Sequence, residues 1–255
     1  MTITAVTGSA SGIGAAVCKQ LQEAGHTVLG IDRQNADIIA DLSTVEGRIN
    51  AANQVKALSN NKLDGLVCCA GLGVTAPSAS LVISVNYFGT TELIALLQDT
   101  LAQGENPAIT IIGSVAAVQQ IAEPHAMTEL MLENKEIDAR TMADELGQPH
   151  IAYSASKYAL TVHARRLAVQ IGKTGVRLNT VAPGAVETPL HEASKNDPRF
   201  GEAVRNFVAP IGRNGEPSEI ADAVTFLQSS NASFIHGSVL YVDGGMDAMM
   251  RNGNL

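Results

Sequence analysis

The chain is poor in positive charge, with 17 lysines and arginines against 25 aspartates and glutamates in 255 residues. The formal net charge of -8 argues against nucleic acid as the main partner, because phosphate backbones bind to basic surfaces. Cysteine is also scarce, and the spacing of Cys18, Cys68 and Cys69 fits no metal site. We therefore expect no bound metal, reduced thiols and a cytoplasmic protein.

Long apolar runs and low-complexity tracts are missing as well. No apolar run reaches the roughly 18 residues of a membrane span, and the N-terminus lacks the basic and apolar segments of a signal peptide. No proline- or serine-rich linker and no run of charge divides the chain. With 45% hydrophobic and 16% charged residues, the sequence predicts a single globular domain spanning 1–255.

The sequence does contain a regular alternation of apolar, β-type runs with helix-like segments. Strands are predicted at 3–7, 27–31, 36–40, 63–70, 108–113, 176–181 and 237–242. Helices are predicted at 15–24, 44–58, 81–101, 127–145, 151–171 and 217–227. This alternation predicts an α/β fold with a doubly wound (Rossmann-type) parallel sheet of about seven strands and helices on both faces.

A glycine-rich turn containing Gly8, Gly12 and Gly14 lies between the first strand and the first helix. Such a turn presents backbone N–H groups and a helix N-terminus to a phosphate. Its glycines let the backbone approach a pyrophosphate and let the helix pack close to the strand. The spacing is G-x-x-x-G-x-G and not G-x-G-x-x-G, so an ordinary turn is the alternative.

Asp32 ends the second strand, 18 positions after Gly14 (32 − 14 = 18). This is close to the ~20 positions expected for the acid that binds an adenosine ribose. A carboxylate accepts hydrogen bonds from the ribose diol and repels a 2′-phosphate, so Asp32 favours NAD over NADP. Arg33 follows directly and is able to attract that phosphate, which leaves NADP as the alternative. Arg33 otherwise stacks near the adenine or lies in solvent.

Tyr153 and Lys157 are four positions apart, which places them one turn apart on the same face of a helix. A tyrosine phenol ionises near pH ~10, and a neighbouring positive charge lowers that pKa. The tyrosine is then able to exchange a proton with an alcohol or carbonyl oxygen. Taken alone, these residues are equally compatible with an ordinary surface helix.

Residues 116–150, just before this helix, are unusually rich in Glu, Asp, Met, Gln and His. We expect one or two helices inserted here, over the carboxyl edge of the sheet and the substrate site. Met127, Met131 and Met142, and also Met246, Met249 and Met250 near the C-terminus, are predicted to fill the core. For the methionines of the inserted segment, the lining of an apolar pocket is the alternative. A polar segment from 187 to 200 is also predicted to cover a ligand at this edge.

Several motifs occur in an order that resembles the short-chain dehydrogenase/reductase family over essentially the whole chain. They are Thr7-Gly8-x-x-x-Gly12-Ile13-Gly14, Asp32, Cys68-Cys69-Ala70-Gly71, Asn86, Ser114, Tyr153-x-x-x-Lys157, Pro183-Gly184 with Thr188, and Val242-Asp243-Gly244-Gly245. Cys68 and Cys69 stand where this family usually has two asparagines. This departure puts a strand-stabilising contact in doubt.

The resemblance implies an oxidoreductase that interconverts a secondary alcohol and a ketone with a nicotinamide cofactor. In that family Tyr153 is the general acid and base, Lys157 lowers its pKa, Ser114 holds the reacting oxygen and Asn86 supports a proton relay. NAD is the expected cofactor, with NADP as the alternative. The residues expected to bind it are Gly8, Ser11, Gly12, Ile13, Gly14, Asp32, Arg33, Asp41, Leu42, Ala70, Gly71, Gly73, Tyr153, Lys157, Pro183, Val186 and Thr188.

Two unusual spacings narrow the resemblance. Gly71 to Asn86 is 15 positions (86 − 71), which is short, and Ser114 to Tyr153 is 39 positions (153 − 114), which is long. Both resemble the bacterial hydroxysteroid dehydrogenases with carbonyl reductase activity within this family. This implies an apolar substrate, a 3α-hydroxysteroid or 3-ketosteroid, with wider carbonyl reduction. A 3-oxoacyl thioester reductase, a polyol dehydrogenase and a non-catalytic cofactor-binding sensor are the alternatives.

The inserted segment also bears on assembly. Many members of the family pair through the helices that correspond to those carrying Asn86 and Tyr153. A segment added just before the second of these helices is expected to block that interface. We therefore expect a homodimer and not a tetramer.

Overall fold

A computed structural model describes residues 2–253 and places seven strands of that range in one parallel sheet. The strands are β1 (Ile3–Thr7), β2 (Thr27–Asp32), β3 (Ile38–Ile39), β4 (Gly65–Cys68), β5 (Ala108–Ile112), β6 (Arg177–Pro183) and β7 (Val239–Val242). Their order is β3-β2-β1-β4-β5-β6-β7. The predicted doubly wound sheet is confirmed. The strand order reverses between β1 and β4, where open α/β sheets bind ligands.

The helices alternate with the strands, as the sequence predicts. They are α1 (Gly12–Glu23), α2 (Val45–Leu58), α3 (Ala79–Ile83), α4 (Gly89–Ala102), α5 (Met127–Leu132), α6 (Glu136–Leu146), α7 (Pro149–Ile171), α8 (Pro189–Lys195), α9 (Gly201–Asn206), α10 (Pro217–Gln228) and α11 (Met246–Met250). Thr44 caps α2 by accepting a hydrogen bond from the Gly47 N–H. The ring of Pro149 starts α7 two residues before the predicted position.

The sheet separates two apolar cores. On one face, side chains of α2, α4 and α7 pack against the strands, as illustrated by Val55, Ile94 and Leu160. On the other face, α1 and α10 pack against the strands through side chains such as Val17 and Val224. The central strands are therefore covered on both sides, which explains their nearly continuous apolar sequences.

The predicted strands at 36–40 and 63–70 are shorter in the structure. Only Ile38 and Ile39 pair with β2, so β3 is a two-residue edge strand. β4 ends at Cys68, and two residues later the N–H of Ala70 donates to the hydroxyl of Thr7 at 3.0 Å. Thr7 thus supplies a contact between the ends of β1 and β4, where the missing asparagines had left one in doubt.

The predicted helix at 81–101 is interrupted by a π-helical turn, Ser84–Phe88, between α3 and α4. The whole stretch, Ala79–Ala102, is the one part of residues 2–253 that is long and apolar enough to cross a membrane by length and composition. However, 72% of its most apolar window is buried inside the protein. We interpret it as a core helix.

The segment 116–150 contains two helices that pack beside the sheet. α5 lies against α7, and α6 lies against α3. Met127 and Met131 are completely buried in the core formed with these helices, and Met142 packs against the same core. The prediction that these methionines fill the core is confirmed. The same prediction is wrong for Met246, Met249 and Met250, because no residue of α11 is buried.

Replacing Met131 by alanine should lower the free energy of unfolding by about 2–5 kcal/mol, because it leaves a cavity between α5 and α7. Met249 on α11 is 53% exposed, so Met249→Ala makes the same chemical change and should alter stability by less than ~0.5 kcal/mol. Denaturant unfolding followed by circular dichroism measures both variants. Equal losses in the two variants would contradict the burial of Met131.

Candidate active site

A cavity of about 820 Å³ opens at the carboxyl edge of the sheet. It extends from the glycine-rich turn, past the ends of β4 and β5, to α8 and α9. Of the residues predicted for the cofactor or for catalysis, all but Gly73 and Asn86 line this cavity. The fold therefore brings together residues that lie up to 180 positions apart in the chain (188 − 8 = 180).

One end of the cavity is shaped to receive a phosphate. A Cβ on Gly14 would lie 2.0 Å from the carbonyl oxygen of Gly8, so only glycine lets α1 pack directly on the turn. Gly8 has a φ of +68° and lies against the backbone of Ala70. Ser11 precedes α1 without capping it through its side chain, so the first-turn N–H groups stay open toward the cavity.

Asp32 lies beside this turn with its carboxylate held in place. One oxygen accepts a hydrogen bond from the Ala10 N–H at 3.0 Å, and the other accepts from the Arg33 N–H at 2.7 Å. Each carboxylate oxygen keeps further acceptor capacity, so Asp32 is able to receive the two hydroxyls of a ribose. The side chain of Arg33 is exposed at the cavity edge, and Asp41 and Leu42 also line the cavity.

The middle of the cavity is formed by the end of β5 and by α7. Tyr153 and Lys157 lie on α7, and the Lys157 ammonium donates a 2.8 Å hydrogen bond to the carbonyl of Ile112 at the end of β5. Ser114 follows β5, and its hydroxyl accepts from the Ala116 N–H at 3.1 Å. Ser114 thus caps the turn that follows, which was the structural alternative for this residue, and it also faces the Tyr153 phenol.

Burial controls the proton affinities of this pair. It raises the pKa of Tyr153, and a hydrogen bond with Ser114 opposes that rise. Burial also lowers the pKa of Lys157 to about 8. Burial therefore dominates the pKa of Tyr153 in the protein alone. The lowering of this pKa by Lys157 stays a prediction.

Asn86 lies in the π-helical turn and is fully buried, so it does not line the cavity. Its side chain accepts from the Leu72 N–H at 2.7 Å and donates to the Leu72 carbonyl at 3.0 Å. A Cβ on Gly71 would lie 3.3 Å from the Asn86 carbonyl oxygen and 3.7 Å from the Lys157 ammonium. Asn86 therefore fixes the loop that carries Gly71 past Lys157, and π-helical turns are frequent at such sites.

Gly73, predicted to bind the cofactor, lies elsewhere. It is buried, and a Cβ on it would be 2.7 Å from the side chain of Leu190 on α8. Its small size lets the loop after β4 approach α8. Its neighbours Leu72 and Val74 do line the cavity, and cofactor binding by Gly73 stays a prediction.

The remaining part of the cavity is mostly apolar. For this part, the sequence predicted the covering segments but not the individual lining residues. The predicted covering segment, 187–200, contains α8 and ends just before α9. Helices α8 and α9, together with the two phenylalanines that flank α9, supply most of this lining. The apolar side chains here are Val74, Leu190, Phe200, Val204, Phe207 and Met246. The polar side chains among them are Gln119, His150, His191 and Ser194. No motif in the sequence marks these residues individually.

The expectation that segment 116–150 covers the site is met only at its ends. Ala116, Gln119 and His150 line the cavity, whereas the residues of α5 and α6 do not. The alternative that the methionines of this segment line an apolar pocket is wrong, because they are buried against α7 and α3. Within residues 2–253, no group of three or more His, Cys, Asp or Glu side chains is arranged to hold a metal ion.

Comparison with known proteins identifies the family. A model described as short chain dehydrogenase matches residues 2–126, and one described as enoyl-(acyl carrier protein) reductase matches residues 137–247. The chain is 46% identical over 253 residues to a 3-alpha-hydroxysteroid dehydrogenase/carbonyl reductase of Comamonas testosteroni, covering 98% of both chains. The chain belongs to the short-chain dehydrogenase/reductase family. It is also 31% identical to a glucose 1-dehydrogenase of Gluconobacter oxydans, covering 94% of this chain and 90% of that enzyme.

A solved structure in this family is very similar to this one. It is the crystal structure of the 3-alpha-hydroxysteroid dehydrogenase from Pseudomonas sp. B-0831 in complex with NADH. The two share 56% sequence identity and a TM-score of 0.97, with 100% of both chains covered. The long segment before α7 is therefore a feature that this chain shares with a relative along its full length.

The pKa of Lys157 predicts a pH dependence of stability. Its pKa falls from 10.5 to about 8 on folding, so between these values the unfolded chain binds more protons than the folded chain. Stability from this group therefore rises with pH through that window, by up to about 3 kcal/mol. We expect the free energy of unfolding of the wild type, measured relative to Lys157→Met, to rise from pH 8 to 10.5. Denaturant titrations at several pH values test this, and a constant difference would contradict it.

Proposed function

We propose that the protein is an NAD-dependent oxidoreductase that interconverts 3α-hydroxysteroids and 3-ketosteroids and also reduces other carbonyl compounds. One observation carries this proposal. Ser114, Tyr153 and Lys157 meet in a single cavity, between a phosphate-binding turn at one end and an apolar compartment at the other. The names of the Comamonas and Pseudomonas relatives support the steroid substrate, and the NADH complex of the latter supports the cofactor.

The residues of the cavity fit NAD. The turn of Gly8, Gly12 and Gly14 leaves room for a pyrophosphate at the N-terminus of α1. Asp32 accepts hydrogen bonds from the adenosine ribose and repels a 2′-phosphate, which favours NAD over NADP. Asp41 and Leu42 frame the adenine in this arrangement. At the other end, Lys157 binds the nicotinamide ribose, and Thr188 binds the carboxamide.

When bound, the oxidised nicotinamide accepts a hydride from the alcohol carbon and places a positive charge beside the phenol. Ser114 hydrogen-bonds the substrate oxygen and holds it next to Tyr153. In oxidation, the Tyr153 phenolate takes the hydroxyl proton, so that the alcohol loses one hydride and one proton and becomes a ketone. In reduction, Tyr153 returns the proton to the carbonyl oxygen. The charges of Lys157 and of the nicotinamide together offset the effect of burial on the phenol.

Asn86 contributes to the proposed reaction indirectly, without contacting the substrate oxygen or the Tyr153 phenol. Its two hydrogen bonds fix the backbone of Leu72, and thereby the position of the preceding Gly71, which lies close to the Lys157 ammonium. In the proposed mechanism, this fixed backbone supports the route by which a proton passes from Tyr153, by way of Lys157, to solvent. Asn86 is a supporting residue of the relay and does not touch the substrate.

The apolar compartment supports a steroid over the alternative substrates. Leu190, Phe200, Val204 and Phe207 present hydrocarbon to the space beside Ser114 and Tyr153. A rigid apolar body with one reactive oxygen suits a pocket with few polar groups. A polyol fits this compartment less well, because the six apolar side chains offer its hydroxyls no hydrogen-bond partner. The complete set of Asn86 and the three catalytic side chains argues against a non-catalytic sensor.

We expect the purified protein to reduce NAD in the presence of a 3α-hydroxysteroid such as androsterone, and to do so faster than it reduces NADP. Asp32 and the apolar lining by Phe200 and Phe207 are the reasons for this expectation. Absorbance of the reduced nicotinamide measures the rate. Activity on small ketones or acyl thioesters without steroid activity would support the proposed roles of the catalytic residues and contradict the proposed steroid substrate.

Tyr153→Phe is the matched variant for this assay, because it removes one oxygen atom and leaves the ring in place. It should lower kcat by about 10²–10⁴-fold, the usual contribution of a general acid or base. Binding of NADH, followed by fluorescence, should stay close to that of the wild type. Retained turnover in this variant would rule out Tyr153 as the proton donor and acceptor.

We further propose a cytoplasmic homodimer. The three cysteines are free thiols, and burial raises the pKa of Cys18 to about 11 and of Cys68 to about 12, which leaves them unreactive at neutral pH. α5 packs against α7, and α6 packs against α3 and the π-helical turn that carries Asn86. The inserted segment therefore lies against the helices through which many members of the family pair. Light scattering should give twice the chain mass of 26.6 kDa, and a tetramer mass would refute the proposal.

A further inference from the structure

Arg48 on α2 is completely buried, which is unusual for an arginine. Its guanidinium forms a bidentate salt bridge with Glu136, the first residue of α6. The Nη1 atom donates to Oε2 at 2.7 Å, and the Nη2 atom donates to Oε1 at 2.8 Å. A second carboxylate, that of Glu92 on α4, accepts at 2.9 Å. The cavity is not lined by any of these three side chains, so the proposed mechanism leaves them unexplained.

The remaining donors of Arg48 bind backbone carbonyls. The Nε atom donates to the Leu42 carbonyl at 2.9 Å, and the Nη2 atom donates to the Ser43 carbonyl at 3.2 Å. The carbonyl of Ser84, at the start of the π-helical turn, accepts at 3.2 Å. Arg48 therefore joins α6 of the inserted segment to the loop that carries Asp41 and Leu42.

This loop receives little support from the sheet. It follows β3, which pairs with β2 only through Ile38 and Ile39. Packing around the loop is nevertheless very tight. A Cβ on Gly47 would be 1.9 Å from the Asp41 carbonyl, and one on Gly89 would be 2.9 Å from the Leu42 carbonyl. Hydrogen bonds from Arg48 thus hold a segment that the edge strand alone leaves weakly fixed.

The two carboxylates keep the buried guanidinium charged and oriented. Burial by itself lowers the pKa of Arg48, and the hydrogen bonds with Glu136 and Glu92 raise it above its ordinary value. A bidentate pair also fixes the plane of the guanidinium. That plane decides whether the Nε and Nη2 atoms point at the carbonyls of Leu42 and Ser43. Glu136 consequently sets the position of the loop through Arg48.

We propose that Glu136 and Arg48 are positioning residues for the adenosine half of the cofactor. Segment 116–150 then has a role away from the substrate: its α6 helix holds the Asp41–Leu42 loop in the shape that receives the adenine. This inference rests on the proposed function, since it takes NAD as the occupant of the cavity. It assigns a cofactor-binding role to a segment that the sequence had placed over the substrate.

Glu136→Gln tests the proposal because an amide keeps one acceptor oxygen and replaces the other by a donor that Arg48 cannot use. We expect the Kd for NADH, measured by fluorescence titration, to rise about tenfold. Activity with reduced nicotinamide mononucleotide, which lacks the adenosine half, should stay at the wild-type level. Loss of one negative charge would by itself favour the dianionic NADH, so weaker binding points to the position of the loop.

Glu133→Gln is the matched control, because it makes the same change on the same segment at a carboxylate that is 56% exposed and paired with Lys135. Its Kd for NADH should equal that of the wild type. If Glu136→Gln does not fold, Glu92→Gln carries the test with the same expectations, since Glu92 makes only one of the bonds to Arg48.

Two results would overturn the inference. One is an unchanged Kd for NADH in the folded variant. The other is an equal loss of activity with NADH and with the mononucleotide, which would mean a general loosening of the protein. Both leave the proposed function standing, provided that the wild type binds NADH. Failure of the wild type to bind NADH would instead refute the proposed function itself.

Discussion

The buried ammonium of Lys157 is the interaction on which the candidate site depends. Removing a positive charge from water is costly, and here the Ile112 carbonyl at the end of β5 is its hydrogen-bond partner. This bond ties α7 to the sheet and fixes where Tyr153 presents its phenol. The lowered pKa of Lys157 records the remaining cost of burial. The chain retains that cost because the proposed reaction needs a positive charge beside the phenol.

A second feature of the molecule is that the inserted segment 116–150 supports helices α7 and α3. α5 and α6 extend the core against α7 and α3, and Met127 and Met131 fill it. Through the pair of Glu136 and Arg48, the same segment is also connected to the loop that carries Asp41 and Leu42, two residues that line the cavity. The covering of the substrate compartment falls to α8 and α9. Support of α7 and covering of the apolar compartment are thus performed by different parts of the chain.

Much of the site could be predicted because its residues follow local rules. Gly8, Gly12 and Gly14 are required by close backbone packing, and Asp32 stands at a fixed distance along the chain. The part that could not be predicted depends on contacts between distant segments. In the sequence, Arg48 has the pattern of an ordinary surface residue of a helix. Its pairing with Glu136 could not be predicted, because the two residues lie 88 positions apart in the chain. Asn86 was recognised, but its bonds to Leu72 depend on a π-helical turn that no periodicity predicts.

The alternation of strands and helices, the glycine-rich turn and the helical spacing of Tyr153 and Lys157 could all be recognised in the sequence alone. These features are encoded in short stretches, where side-chain pattern and backbone geometry are directly linked. The position of segment 116–150, the side chains that line the apolar compartment and the effect of burial on the pKa values of Tyr153 and Lys157 became visible only in the three-dimensional structure. Those properties arise from packing and exclusion of solvent between elements far apart in the chain, and no local pattern records them.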